Sequence, residues 1–321
     1  FLEIKKKIRS FNKKINVSGD KSLSIRWVLL ASQATGKSKA YNLLMSEDVL
    51  AAMDAIKKLG IKVNIHKNYC EIFGNGINGF KYKKNLTINA KNSGTLGRLL
   101  LGLLIKSPQE IRLIGDRSLS KRDFSRVTLP LQKFGAKFNY KIEGKLPLSI
   151  LGSQSAKGIK YLENKGSAQC KSSIMLAALN SSGTTLIKAK KSRDHSELLF
   201  KYLKIPIRIK KTKKYDFIDI KQPEKIKSFN YQIPGDISSS AFFMVLTTLS
   251  KNSSLLIKNV NINPSRTGVI IILKKMGAKI FLKNQKSYRG EKIADILIKS
   301  SNNLKAINCP SKLNSSAIDE F

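Results

Sequence analysis

A chain of 321 residues exceeds one hydrophobic core, so two domains are expected, and 41% hydrophobic residues exclude a disordered chain. The longest apolar runs, such as Leu99–Ile105, fall far short of the ~20 residues of a membrane-spanning helix. The net charge of +39 rests on 49 Lys and only 11 Arg scattered over every segment, with 7% aromatics, which suits neither base reading nor strand stacking.

A positive surface of this kind attracts anionic substrates. Phe1–Ser10 has no long apolar core and reads as no secretory signal. Cys70, Cys170 and Cys309 lie far apart, and His66 and His195 are the only histidines. No disulfide framework, metal or cofactor is expected, and a reducing cytoplasm fits.

Two pieces recur along the chain. One is a polar opening followed by an apolar helix. Gly19–Ser22 opens a helix expected over Ser24–Ala34; Asn92–Thr95 opens Leu96–Ile105; Gly166–Gln169 opens Lys171–Leu179; Gly235–Ser238 opens Ser240–Leu249. With Lys21, Gly94, Ser167 and Asp236 as anchors, the steps are 73, 73 and 69 residues. The other piece is a helix closed by glycine and followed by a strand. It appears at Ala51–Val63, Arg126–Phe138 and Thr267–Ile280, with Gly60, Gly135 and Gly277 as caps. A degenerate copy over Ser196–Ile207 lacks the glycine. Together they predict a βαβαββ unit used at least four times.

Helix openings carry free N–H donors and a partial positive charge, so four equivalent openings predict an anionic ligand. Lys21, Ser22, Arg26, Ser167 and Gln169 add side-chain donors. Arg122, Arg193 and Arg266 precede helices of the second kind and present planar forks to carboxylate or phosphate. Arg266 reads equally as a salt-bridge residue. His195 reads as structural, and Arg98, one turn into its helix, as a tie between neighbouring units.

The ordered strings resemble one family. Gly19–Arg26 is similar to its GDKS-x-S-x-R signature, Ser46–Val49 to SEDV, Asn92–Thr95 to NAGT, and Leu113–Arg126 to L-x-GD-x-SL-x-KR-P-M-x-R. Ser167–Ser172 resembles SAQ-x-KS, Ser192–His195 SRDH, Pro234–Ser239 PGDISS, Asn263–Gly268 NP-x-RTG, and Ile318–Glu320 IDE. The family is that of the 3-phosphoshikimate 1-carboxyvinyltransferases, or EPSP synthases.

The resemblance implies an α/β (α+β) fold, an inside-out α/β barrel of two domains built from βαβαββ units, with the site between them. Residues 20–234 would form a complete three-unit domain. Residues 1–19 and 235–321 would form a second, incomplete one. It implies a monomeric cytoplasmic enzyme of aromatic amino-acid biosynthesis that needs no cofactor and takes phosphoenolpyruvate and shikimate 3-phosphate, with glyphosate as inhibitor. Position by position, Lys21, Ser22, Arg26, Ser167, Ala168, Gln169, Arg193 and Asp319 would hold shikimate 3-phosphate. Lys21, Gly94, Arg122 and Gln169 would hold phosphoenolpyruvate. Asp319 and Lys21 would be catalytic.

Asp123 departs from the family's proline beside Arg122, where its carboxylate either pairs with that arginine or points away. The family's later cationic motifs are missing, so the chain is expected to be a fragment that is inactive alone and exposes an apolar surface. The rival readings are a UDP-N-acetylglucosamine enolpyruvyl transferase, whose reactive-cysteine loop is not seen, and a basic nucleic-acid-binding protein.

Overall fold

The computed structural model describes residues 9–320. The chain divides into a central unit, Lys21–Ile233, and a terminal unit made of the residues up to Asp20 with those from Pro234 on. The two segments that leave and re-enter the terminal unit run side by side. The Asp20 N–H donates to the Pro234 carbonyl and the Asp236 N–H to the Ser18 carbonyl, each at 2.9 Å.

Strand β1 spans Asn12–Asn16. The first repeat follows as α1 (Lys21–Ser32), β2 (Thr35–Tyr41), α2 (Glu47–Lys58), β3 (Lys62–Ile65) and β4 (Tyr69–Asn75). The second is β5 (Leu86–Asn89), α3 (Gly94–Leu103), β6 (Ile111–Ile114), the single turn α4 (Arg117–Ser120), α5 (Ser125–Gln132), β7 (Lys137–Tyr140) and β8 (Leu148–Leu151). The third is β9 (Lys160–Glu163), α6 (Ala168–Ala178), β10 (Thr184–Lys190), α7 (His195–Tyr202), β11 (Ile207–Lys211) and β12 (Tyr215–Lys221). After β13 (Asn230–Gln232) comes the fourth: α8 (Ile237–Leu249), β14 (Ser254–Asn261), α9 (Gly268–Lys275), β15 (Lys279–Tyr288) and β16 (Glu291–Lys299). The short helix α10 (Asn314–Ala317) and a 3-10 turn, Ile318–Glu320, close the described chain.

The four sheets share one strand order: β13-β2-β4-β3, β5-β6-β8-β7, β9-β10-β12-β11 and β1-β14-β16-β15. In each, the first two strands are parallel and the others antiparallel, as a helical crossover followed by a second helix and a hairpin requires. The first repeat borrows its leading strand from β13, with Tyr231 opposite Ala40, because β1 pairs with β14 in the terminal unit.

Helices α1 and α6 are buried on every side from Leu23 to Ser32 and from Cys170 to Ala178, so neither shows a polar stripe. The largest buried side chain is Trp27 of α1, edge-on to Phe229 at 6.4 Å between ring centres. At Gly102 of α3 a Cβ would stand 2.1 Å from the Ser173 carbonyl oxygen, so only glycine lets α3 lie this close to α6. In the terminal unit, α8 turns Ile237, Ala241 and Met244 into the core of that unit and leaves Phe242, Phe243, Leu246 and Leu249 in solvent. Among the described residues no helix is long and apolar enough to cross a membrane.

The mixed α/β fold of repeated units agrees with the sequence reading. The helix starts differ: α1, α3, α6 and α8 begin two or three residues ahead of the expected positions. Polar residues assigned to turns form the first helical turn instead. They do so because each opening supplies its own cap or tolerates free N–H groups.

Candidate active site

Three of the four openings lie in the central unit, and their local chemistry fixes the first turn of each helix. The Ser93 hydroxyl accepts from the Leu96 N–H at 3.3 Å, and the Ser167 hydroxyl accepts from the Cys170 N–H at 3.2 Å. In α1, Lys21 is the first helical residue, and its Nζ stands 3.0 Å from the Asp48 carboxylate at the start of α2. Lys21 therefore sits beside an acid.

Arg26 joins the openings of α1, α6 and α7. It is 4% exposed. Its Nη1 donates to the Ser22 carbonyl at 3.0 Å, its Nε to the Ser196 hydroxyl at 2.9 Å and its Nη2 to the Ser172 hydroxyl at 3.0 Å. Ser196 in turn donates to Ser172 at 2.7 Å. Arg193 lies two residues ahead of α7 and is half-buried. His195 is buried at the first position of α7.

The third opening is tied in through Gln169. Arg98 Nη1 of α3 donates to the Gln169 amide oxygen at 2.6 Å, and the Gln169 amide nitrogen donates to Thr95 Oγ1 at 3.0 Å. Arg98 Nη2 donates to the Asp123 carbonyl at 3.0 Å, and its guanidinium lies 5.1 Å from the centre of the Phe124 ring. Desolvation, with Arg122 and Arg126 nearby, pulls the Arg98 guanidinium below its ordinary value. A Cβ on Gly94 would meet Arg98 Nη1 at 3.1 Å and Arg122 Nη1 at 3.2 Å, so two cations crowd the backbone at that one residue. Arg122 Nη2 donates to the Asn92 side chain at 3.3 Å.

The central unit thus brings Lys21, Ser22, Arg26, Gly94, Arg122, Ser167, Ala168, Gln169 and Arg193 onto helix openings of a single body. Asp319 belongs to the terminal unit. There its carboxylate stands 3.2 Å from Arg266 Nη1.

The chain matches the family model described as EPSP synthase (3-phosphoshikimate 1-carboxyvinyltransferase) over residues 5–311. It is 42% identical over 309 residues to the 3-phosphoshikimate 1-carboxyvinyltransferase of Ruthia magnifica subsp. Calyptogena magnifica, spanning 96% of this chain and 69% of that protein. Against the Bacillus subtilis (strain 168) protein of the same name, identity is 36% over 317 residues, 98% of this chain and 72% of that one. A solved structure of EPSP synthase from Acinetobacter baumannii superposes with a TM-score of 0.87 at 38% identity, covering 98% of this chain and 70% of that one. The chain belongs to the EPSP synthase family.

Asp123, the departure from the pattern of EPSP synthases, points away from Arg122. Its Oδ1 accepts from the Ser125 N–H at 2.8 Å and the Ser125 hydroxyl at 2.5 Å, and Oδ2 lies 3.6 Å from Arg126. The turn that proline would stiffen is closed here by side-chain bonds. Residue-level reading of the chain missed Asp48, Thr95 and Ser196. Each makes its contacts across 24 or more residues of sequence, where no local pattern reports them. It also missed the buried partner of Lys171, taken up below.

Proposed function

We propose that the chain transfers the 1-carboxyvinyl group of phosphoenolpyruvate to the 5-hydroxyl of shikimate 3-phosphate, releasing phosphate. Lys21, Ser22, Arg26, Ser167, Ala168, Gln169 and Arg193 hold the phosphorylated acceptor. Lys21, Gly94, Arg122 and Gln169 hold phosphoenolpyruvate. The observation that carries this reading is the hydrogen-bonded linkage Ser22–Arg26–Ser172–Ser196 together with Arg98–Gln169–Thr95. It ties four helix starts of the central unit into one cluster rich in free amides and cations, which suits two multiply charged anions.

In the reaction a proton reaches the methylene carbon of phosphoenolpyruvate. The acceptor's 5-hydroxyl oxygen bonds to the neighbouring carbon while its own proton passes to Asp319. The tetrahedral adduct then expels phosphate as a proton leaves the new methyl group. Lys21 serves as the proton-transfer group for the enol carbon. Arg122 and the helix amides stabilise charge that moves from the carboxyvinyl unit to the departing phosphate. Asp123 is spent on its own turn and leaves Arg122 free for this work. Glyphosate, with a phosphonate and a carboxylate, competes at Gly94 and Arg122. The site of action in this reading is the cytoplasm, the reducing compartment that suits a chain whose three cysteines lie far apart in sequence.

The test is calorimetric titration of the full chain with shikimate 3-phosphate. Binding at one site is expected, weakened at least ten-fold in Lys21→Ala and Arg193→Ala. A folded chain that binds none, or that binds UDP-N-acetylglucosamine instead, refutes the reading.

A further inference from the structure

Below the openings lies a buried ion pair that the proposed chemistry does not use. Lys171 stands two residues past Gln169 on α6 and has no exposed side-chain surface; Glu197 stands two residues past His195 on α7, and its side chain is 3% exposed. Lys171 Nζ and Glu197 Oε1 are 2.5 Å apart. Among the described residues, neither the ammonium nor either carboxylate oxygen has a hydrogen-bond partner beyond this ion pair. Their sequence neighbours Ser172 and Ser196 are the two hydroxyls that Arg26 grips, and these bond each other at 2.7 Å.

Such a pair is a poor source of stability. Taking each ion out of water costs several kcal/mol, and mutual attraction offsets that only when further hydrogen bonds satisfy both partners. Those further bonds are missing here. Apolar side chains of similar volume would fill the space at no loss, and often with a gain. What an ammonium and a carboxylate supply that two apolar groups do not is one fixed separation, since apolar contacts tolerate sliding and rotamer change. The separation they fix is that between the first turns of α6 and α7. The Ser167–Gln169 opening stands on one turn and Arg193 just ahead of the other.

We propose that Lys171 and Glu197 are positioning residues, whose buried pair sets the spacing between the Ser167–Gln169 opening and Arg193 and so the grip on the phosphorylated acceptor. The inference rests on the reading given under Proposed function.

The full chain is compared with Lys171→Met/Glu197→Leu and with Glu197→Asp, which keeps both charges but shortens the reach of the pair, each by urea unfolding and by calorimetric titration with shikimate 3-phosphate. The double variant should unfold at the same or a higher urea concentration yet bind the acceptor at least ten-fold more weakly. A double variant that is stable and binds like wild type overturns the inference alone. If the double variant does not fold, Glu197→Asp decides. Weakened binding at an unchanged urea midpoint supports the positioning role. Unchanged binding overturns it, as does a loss of affinity that merely follows a loss of stability. A wild-type chain that binds no acceptor overturns the functional reading first, and this inference with it.

Discussion

Arg266 holds Asp319 at 3.2 Å from the far side of the terminal unit's sequence, 53 residues away. Its Nη2 also donates to the Ser238 hydroxyl at 2.6 Å and lies 3.6 Å from Glu320, whose carboxylate accepts a hydrogen bond from the Ser238 hydroxyl at 2.5 Å. One buried guanidinium therefore ties the Ile318–Glu320 turn to the first turn of α8, which Asp236 caps through the N–H groups of Ser238 and Ser239. Arg266→Gln leaves Glu320 buried without its cation. It is expected to cost the terminal unit ~3 kcal/mol. Hydrogen exchange should rise at Ile318–Glu320 and in the first turn of α8 while α1 and α6 stay protected. Unchanged exchange at the turn would contradict the tie.

Gly94→Ala tests the crowded backbone between two arginines. The added methyl meets guanidinium nitrogens at 3.1 and 3.2 Å, closer than ordinary contact, so Arg98 and Arg122 must give way. With shikimate 3-phosphate present, glyphosate should bind the variant at least ten-fold more weakly by calorimetry. Equal affinity in both proteins would remove residue 94 from the anion site.

Acid should weaken the fold through three aspartates. The Leu119 N–H and the Asn92 amide hold the Asp116 carboxyl below its ordinary value. At Asp123 and Asp295 desolvation pushes upward, but it is outweighed by the Ser125 hydroxyl and N–H with Arg126 at the former, and by Lys258, the Asn259 N–H and Asn284 at the latter. A carboxyl lowered by folding stabilises fully above its unfolded value near 4, and that contribution vanishes as pH falls through the folded value. The urea midpoint should therefore drop between about pH 5 and pH 3. Asp295→Asn should flatten the drop. A midpoint indifferent to pH over that window would count against these bonds.

The cysteines should react unequally. Burial pushes the Cys70 thiol up to about 12 and the Cys170 thiol up to about 11, while Cys309 is exposed. A short pulse of iodoacetamide at pH 8 should label Cys309 first and the other two only after unfolding, as read by mass spectrometry. Rapid labelling of Cys170 in the native chain would mean that the start of α6 is open to solvent.

The repeat was legible in the sequence because its marks are local. Gly60, Gly135 and Gly277 close their helices at φ between +85° and +100°, where a Cβ is costly. The degenerate copy was legible as a helix but not in its ending, since Lys204 takes up the left-handed conformation at φ +56° in place of glycine. The site residues on helix openings were legible for the same local reason. The pairing of β13 with β2 was not, because strand pairing over some 190 residues leaves no periodic trace. Nor were the Lys171–Glu197 pair and the Arg26 linkage, whose members look like ordinary helix residues until the helices pack.

Trp27 is the chain's single tryptophan, and it is fully buried in α1 against Phe229. Indole emission is consequently a built-in optical reporter of one unit only. As urea is raised, a shift in that emission dates the opening of the central unit without attaching a dye, and a loss of structure that leaves the emission unmoved belongs to the terminal unit.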